Sequence, residues 1–241
     1  WSVSLSNDKG QLEYTRQYHT IPESGDGESG TNYDERQFGY DAVGRQNMSK
    51  TPGGTITRTV FNVLGQATHV YVGTCDTGAT DADPTGSQAS PSSSSSSGES
   101  SSSSGSECAN NMLLVTESQY AGPGGCTGCG GGGSVQLAVS IQHADATITR
   151  STEYLYDWRN RQQYVVLEAD DQGRVTFSRQ HYDNLDQVIH TERYHDVAGD
   201  GVDPDSEPSP DDVLIGRQET YYDDRGRTYE TRTYAVNPTT G

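Results

Sequence analysis

A six-residue phrase that recurs along the chain limits the possible fold more than any other feature. It reads YDAVGR at residues 40–45, YDDRGR at 222–227 and YDWRNR at 156–161. Degenerate copies are FNVLGQ at 61–66, YDNLDQ at 182–187 and SNDKGQ at 6–11. Single acidic turns followed by glycine are common, but repeated copies between similar segments indicate an internal repeat.

Each position of the phrase has a physical role in a tight turn. The tyrosine ends a strand, and the Asp carboxylate can accept hydrogen bonds from backbone amides two or three residues on. Glycine takes the positive φ that a tight reversal needs, and Asn is the next-best residue there. The final Arg opens the next strand, where it can pair with a carboxylate or lie on a tyrosine ring. The motif residues are Tyr40, Asp41, Gly44, Arg45, Tyr156, Asp157, Asn160, Arg161, Tyr182, Asp183, Tyr222, Asp223, Gly226 and Arg227.

Segments of similar length separate the turns between residues 147 and 195. With turns led by Asp157, Asp171 and Asp183, the leading Asp advances by 14 and then 12 residues. The segments between them, 161–169, 175–182 and 187–195, are rich in Tyr, Val, Thr, Gln and Arg and contain no proline. Such segments favour β-strands, so we predict an antiparallel meander of hairpins in an all-β fold.

The repeated phrase resembles the YD repeats of the RHS family in bacteria and of the teneurins in animals. The resemblance covers roughly residues 1–71 and 147–241 and lies in the motif, not in a catalytic signature. It implies that the hairpins form part of a long β-sheet that spirals into a hollow shell or barrel. It also implies an extracellular or cell-surface location. In RHS proteins the shell encloses a C-terminal toxin released by self-cleavage near an Asp-Pro motif, but Asp83-Pro84 and Asp203-Pro204 lack that context, so we assign no cleavage.

The amino-acid composition agrees with a single-layer sheet that is exposed to solvent. Hydrophobic residues make up 30% of the 241, mean hydropathy is −0.82, and 15 Tyr outnumber 3 Phe and 2 Trp. A compact globule usually has more aliphatic residues, and the regular strand and turn spacing argues against disorder. The net charge of −18 would repel a phosphate backbone, so we expect no nucleic-acid partner. We expect no membrane span or signal peptide either, and we interpret the chain as a segment of a longer protein.

The predicted organisation is one sheet with loop insertions. Residues 1–72 form the first repeat strands, and residues 73–110 form an acidic, serine-rich flexible insert that cannot bury enough apolar area to become ordered. Residues 111–241 continue the same sheet, with loops at 121–134 and 197–212. Loops are where repeat folds tolerate variation.

Two groups of residues are candidate ligand or cross-link sites. Cys126 and Cys129 have C-x-x-C spacing. Four alternatives apply to these residues together with Cys75 and Cys108: disulfides, a metal site, a redox pair or free thiols. As disulfides, a Cys75–Cys108 bond would close the serine loop. Asp196, Asp200, Asp203 and Asp205 have spacings loosely like a calcium loop, but the terminal bidentate Glu is absent, and a solvated acidic loop is the alternative. We expect no other cofactor. Histidines such as His181 and His190, near Asp183 and Glu192, are interpreted as polar residues of the strand ladder.

Three functions remain to be compared. The first is a non-catalytic structural segment of a shell that encloses cargo or presents a surface, with neighbouring repeats of the same polypeptide as its partners. The second is a carbohydrate-binding or adhesion module that stacks exposed aromatic rings on surface glycans. A filament component that assembles edge to edge is a variant of these. The third, an enzyme, is not expected, because no activated nucleophile or identifiable carboxylate pair accompanies the repeat.

Overall fold

The computed structural model describes residues 1–86, 108–121, 136–145, 147–197, 199, 201–202 and 207–236. Within these ranges every regular element is a strand, and no helix is present. The predicted serine-rich insert lies largely outside the described residues, as do Cys126, Cys129, Asp200, Asp203 and Asp205.

Fourteen strands form one antiparallel sheet in sequence order, which confirms the all-β meander. The strands are β1 Ser2–Ser6, β2 Leu12–Tyr18, β3 Tyr33–Tyr40, β4 Gln46–Lys50, β5 Ile56–Phe61, β6 Ala67–Gly73, β7 Leu113–Ala121, β8 Gln136–His143, β9 Thr149–Tyr156, β10 Gln162–Leu167, β11 Val175–Tyr182, β12 Val188–Asp196, β13 Val213–Tyr222 and β14 Thr228–Ala235. The sheet does not close on itself, because β1 and β14 end the order of the described strands. The chain divides into two compact units, residues 1–117 and 118–241.

Side chains alternate between two chemically different faces in the second unit. One face carries charged rows across β11, β12 and β13: Arg179 is opposite Glu192, which is opposite Arg217. The next row on this charged face is His181, His190 and Glu219. The other face carries Gln180, Thr191 and Gln218 at the intervening positions. Neither face is an apolar layer, and this explains how a chain with so few aliphatic residues forms a sheet.

Small aromatic clusters replace a continuous core. In the first unit Tyr18 stacks on Trp1, with ring centroids 4.5 Å apart, and also contacts Tyr33. In the second unit Phe177 lies between Tyr164 and Tyr194, with centroid distances of 6.1 and 5.2 Å. Such ring pairs contribute beyond the area that they bury. The sheet is therefore held by its backbone ladder together with local ring contacts.

Loops beyond the strands are attached to sheet arginines by carboxylates. Arg58 Nη2 lies 2.6 Å from Asp76 Oδ2 in the loop after β6. Arg179, which is buried, pairs through both terminal nitrogens with Glu207 in the loop between β12 and β13. These ion pairs hold the connecting loops against the sheet in each unit.

Candidate functional site

The repeated turns share one backbone geometry, a type I turn followed by a bulge residue. In the turn led by Asp41, the Gly44 N–H donates to the Asp41 carbonyl (3.0 Å) and the Asp41 N–H donates to the Arg45 carbonyl (2.9 Å). The same pair of bonds recurs in turns led by Asn7, Thr51, Asn62, Asp157, Asp170, Asp183 and Asp223. We call these eight five-residue segments motif turns.

The fourth residue of a motif turn adopts positive φ. Gly44 has φ 88° and Gly226 has φ 75°, while Asn160 and Asp186 adopt 63° and 64° without being glycine. Asn and Asp are the side chains that tolerate this region best. The backbone therefore explains why the degenerate copies vary at this position among Gly, Asn and Asp alone.

The leading side chain organises the turn from inside. Asp41 Oδ1 accepts the Val43 N–H (3.1 Å) and the Arg45 N–H (2.8 Å), two and four residues on, so the predicted spacing of two or three is corrected. Its other oxygen accepts Arg45 Nε at 2.6 Å. In the degenerate turn at 62–66, Asn62 makes the same two backbone bonds and donates its amide to Gln66 Oε1 (2.7 Å). Acid with arginine and amide with amide are thus two chemical forms of one turn.

These contacts stabilise the ionised carboxylates. Burial acts to raise the pKa of Asp41 and of Asp157, but the turn amides and the paired arginine outweigh it, so both pKa values lie below the ordinary one. The Arg174 side chain and the turn amides lower the pKa of Asp170 to about 2. Hydrogen bonds to the charged form have this effect generally.

The structure corrects one predicted turn. The residue whose carboxylate accepts the turn amides is Asp170, not Asp171: Asp170 Oδ1 accepts the Gln172 and Arg174 N–H groups. The residue with positive φ stands three residues after the leading residue, and Gly173 has that spacing from Asp170. The leading Asp therefore advances from 157 to 170 to 183, by 13 residues each time.

Motif turns are concentrated at one rim of the sheet, where strands of successive hairpins reverse. In an antiparallel meander alternate turns lie at the same rim, so the turns led by Asn7, Asp41 and Asn62 share a rim in the first unit. The turns led by Asp157, Asp183 and Asp223 share a rim in the second unit. We call these the motif rims. The structural repeat is therefore two strands, and the turns at Thr51 and Asp170 lie at the opposite rim.

The motif tyrosine makes a contact with the preceding motif. Tyr182 Oη donates to the carbonyl of Gln162, the residue directly after the turn led by Asp157, at 2.5 Å. Tyr222 and Tyr40 donate in the same way to the carbonyls of Val188 (3.0 Å) and Leu12 (2.9 Å). Burial raises the pKa of Tyr182, which keeps the hydroxyl protonated as a donor. Tyr156 donates to the Leu137 carbonyl at 2.8 Å.

The fifth residue of the turn contacts the following motif. Arg45 Nη1 donates to the Asn62 carbonyl (2.9 Å), and its guanidinium lies 4.8 Å from the Phe61 ring centroid. Arg161 lies 4.6 Å from the Tyr182 ring centroid and also bonds to Asp186 Oδ1 at 2.9 Å. Glutamine at the fifth position makes one such contact: Gln187 Nε2 donates to the Gly226 carbonyl at 3.4 Å. Motifs with a tyrosine thus contact their predecessor through its hydroxyl, and the fifth residue contacts the successor through a cation or an amide.

Of the other candidate residues, the structure describes Cys75, Cys108 and Asp196, and these lie outside the motif turns. Cys75 and Cys108 form a disulfide across 33 residues of sequence. Asp196 is buried and accepts the Gly199 N–H (2.6 Å) and the Gly201 N–H (3.2 Å), which makes it a loop-forming residue. Calcium binding by Asp196, Asp200, Asp203 and Asp205 stays a prediction. Cys126 and Cys129 remain candidates for the pairings considered above.

One cluster was not assigned from sequence. His181 Nε2 lies 3.0 Å from Glu192 Oε2, and the His181 and His190 rings stack with centroids 3.8 Å apart. Burial, and then the neighbouring His181, lower the pKa of His190. Burial would raise the pKa of Glu192, but hydrogen bonds from Tyr194 and His181 give a net lowering. The sequence does contain a signal for this cluster: His181 and His190 lie at nearly equal distances on either side of the turn led by Asp183. The two strands of that hairpin therefore bring them opposite each other.

Together the fold and the motif rims define a class: a repeat protein made of one open, antiparallel meander sheet. Comparison with solved structures finds the same fold in a TcdB2-TccC3 complex, with TM-score 0.52, 14% identity and 92% of this chain covered. A TcdB2-TccC3 structure without the hypervariable C-terminal region gives TM-score 0.50, 14% identity and 95% coverage. The chain spans 9% and 11% of the length of those chains. No protein-family model and no curated protein sequence matches it.

No helix among the described residues has the length and apolar character required for crossing a membrane.

Proposed function

We propose that the chain is a non-catalytic wall segment of a β-shell in a larger secreted or cell-surface polypeptide, where the shell encloses cargo or presents a surface. The observation that carries this proposal is the chain of contacts along each motif rim. Tyr40, Tyr182 and Tyr222 each hold the motif before them through the same hydroxyl bond, and Arg45, Arg161 and Gln187 each reach the motif after them. Such a sheet extends by repetition, because the contacts of one repeat do not depend on its place in the series.

Three further features support a wall. In the second unit one face of the described sheet carries charged rows beside a local aromatic cluster and the other carries uncharged polar side chains, so the wall needs no continuous apolar layer. The edge strands β1 and β14 offer unpaired backbone groups to neighbouring repeats of the same polypeptide. The fold resembles that of the TcdB2-TccC3 structures, and the YD phrase resembles a family whose repeats build hollow shells.

Limited proteolysis of the natural polypeptide that contains this chain tests the proposal. We expect segments enclosed by the wall to resist cleavage, and we expect a triple variant, Tyr156→Phe, Tyr182→Phe and Tyr222→Phe, to lose that protection. Enclosed segments that are cut as rapidly in the natural polypeptide as in urea would contradict enclosure. A natural polypeptide that consists of this chain alone, without flanking repeats, would contradict the proposal that it is a wall segment.

A second candidate, glycan binding, is favoured by exposed aromatic side chains. Trp158, in the second position of a motif turn, is 89% exposed, and Tyr229 on the edge strand β14 is 65% exposed. Flat rings of this kind offer an apolar surface for sugars. Glycan-array binding that is lost in Trp158→Ala, but kept in Val63→Ala at the equivalent turn position, would support an adhesive role. An array without binders would remove it.

A further inference from the structure

Two histidines and a glutamate meet on the charged face of the second unit. His181 on β11 is directly opposite His190 on β12, and Glu192 follows two residues later on the same face. One ligand atom from each residue lies within 4.8 Å of the other two. All three side chains are partly buried, with exposed fractions of 26%, 22% and 11%.

We propose that His181, His190 and Glu192 form a binding site for a divalent transition-metal ion, for which zinc is the first probe. Two imidazole nitrogens with one carboxylate oxygen are a donor set that suits zinc and its neighbours in the first transition row. Magnesium and calcium prefer oxygen ligands, and this site has too few. Three protein donors leave one position of a tetrahedral ion open to water.

The distances are close to those that an ion requires. Zinc bonds of about 2.0–2.2 Å in tetrahedral geometry place neighbouring donors about 3.3 Å apart. Glu192 Oε2 lies 3.0 Å from His181 Nε2, and Glu192 Oε1 lies 4.0 Å from His190 Nε2. The stacked rings, 25° apart in plane, have to turn so that both lone pairs point at one ion. Histidine χ2 rotates broadly, so this adjustment is small.

Neighbouring side chains support the carboxylate. Tyr194 Oη donates to Glu192 Oε2 at 3.0 Å, as an outer hydrogen bond to a ligating group should. Arg217 Nη1 lies 3.5 Å from Glu192 Oε1 and competes with an ion for it. Arg217 Nη2 is already paired with Glu219 at 2.9 Å, so the arginine keeps a carboxylate partner when Glu192 turns to the metal.

A bound ion would cross-link β11 and β12 beyond their hydrogen-bond ladder. It would also give this face a position with an exchangeable water, where an anionic or nitrogen-bearing group could bind. The site lies on the sheet itself, so its existence does not depend on whether the chain is part of a shell.

Zinc titration against a chromophoric chelator measures the site directly. The protein carries Cys126→Ser and Cys129→Ser throughout, because cysteine thiols in general bind zinc. We expect His181→Asn, His190→Asn and Glu192→Gln each to weaken zinc affinity on the order of 100-fold, and Tyr194→Phe to weaken it about 10-fold. The controls are His195→Asn, whose ring contacts Thr176, and His69→Asn on β6. Both should bind zinc as the parent does.

A second measurement uses the parent chain, so it does not require the ligand variants to fold. Zinc added to the uniformly ¹⁵N-labelled parent should shift the ring-nitrogen resonances of His181 and His190 while leaving those of His69 and His195 in place. The proposal is overturned if the parent does not bind zinc, if the three ligand variants bind as tightly as the parent, or if the shifts occur only at other histidines.

Discussion

At the scale of single residues, the leading and fifth side chains of a motif turn bond to each other in two chemical forms, while the turn led by Asp183 combines an acid with Gln187. Asp pairs with Arg in the turns led by Asp41, Asp157, Asp170 and Asp223, and Asn pairs with Gln in the turns led by Asn7 and Asn62. The backbone bonds are the same in both forms, since a carboxylate and an amide oxygen accept equally from the turn. The two forms differ in the reach of the fifth side chain, because arginine can bond to the leading Asp of its own turn and to the next motif at the same time.

The tyrosine hydroxyl provides the first prediction. Tyr222→Phe removes the donor to the Val188 carbonyl and keeps the ring, so we expect the free energy of unfolding to fall by about 1 kcal/mol. Urea denaturation measures it, with Tyr229→Phe as the exposed control. The reverse change, Phe61→Tyr, restores the hydroxyl to a degenerate motif and should be stabilising. Equal losses in Tyr222→Phe and Tyr229→Phe would show that the contact contributes nothing.

The lowered carboxylate pKa values predict acid sensitivity. Because the pKa of Asp170 is about 2 in the folded chain and higher when unfolded, protons bind the unfolded state preferentially. Stability should therefore be full above the ordinary carboxyl pKa and decline as the pH falls through about 2. Melting temperature measured against pH should fall less steeply in Asp170→Asn. Asp171→Asn is the matched control, since the turn amides bond to Asp170; equal flattening in both variants would contradict the assignment.

At the scale of elements, the hairpin is what the sequence specifies most completely. The phrase predicted the turns and strands such as β11, because Asp, Gly and Arg each act on backbone within five residues. The leading residue at 170 was misassigned because two aspartates adjoin and only the three-residue spacing to Gly173 distinguishes them. The hydroxyl bonds between motifs and the bond from Arg179 to Glu207 depend on register and loop path, for which no local pattern exists, whereas the His181 and His190 pair follows from the position of the turn led by Asp183.

Positive φ in the turns gives a prediction with an internal comparison. A Cβ at Gly173 meets nothing within 4 Å, so Gly173→Ala should cost only the left-handed backbone penalty of roughly 1–2 kcal/mol. At Gly226 a Cβ would lie 2.8 Å from Nε2 at the flexible end of Gln187, so Gly226→Ala should also displace the amide that donates to the Gly226 carbonyl and cost slightly more. Urea denaturation measures both.

Adding Gln187→Ala tests the cause of that difference. It should remove the excess cost of Gly226→Ala by making space for the methyl group. If the excess persists without the glutamine, the contact between successive motifs is not its source.

At the scale of the whole molecule, two opposing terms act on the open edges. Unpaired backbone on β1 and β14 favours association with another sheet edge. The net charge of −18 opposes it by mutual repulsion between chains. Which term dominates depends on ionic strength, because salt screens the repulsion and leaves backbone hydrogen bonds unchanged.

We therefore predict that the isolated chain associates more strongly as salt is raised. Sedimentation velocity at several concentrations should show larger species at high ionic strength. Thr231→Lys with Thr233→Lys on β14 should suppress them, since edge lysines block pairing. Glu23→Gln with Glu28→Gln, in the loop between β2 and β3, changes the net charge by the same amount and is the matched control that should not. Species that shrink as salt is added would indicate association through charged patches instead.

The reciprocal contacts along a motif rim also have a consequence for the gene. Successive two-strand units meet through the same kinds of residue, a tyrosine on one side and an arginine or glutamine on the other. Removing or duplicating one whole unit therefore leaves matching partners at the junction. Unequal recombination between homologous repeats would then yield chains that differ by complete hairpins and still fold. The number of strands in such a lineage can change in discrete steps, without selection for any new side-chain chemistry.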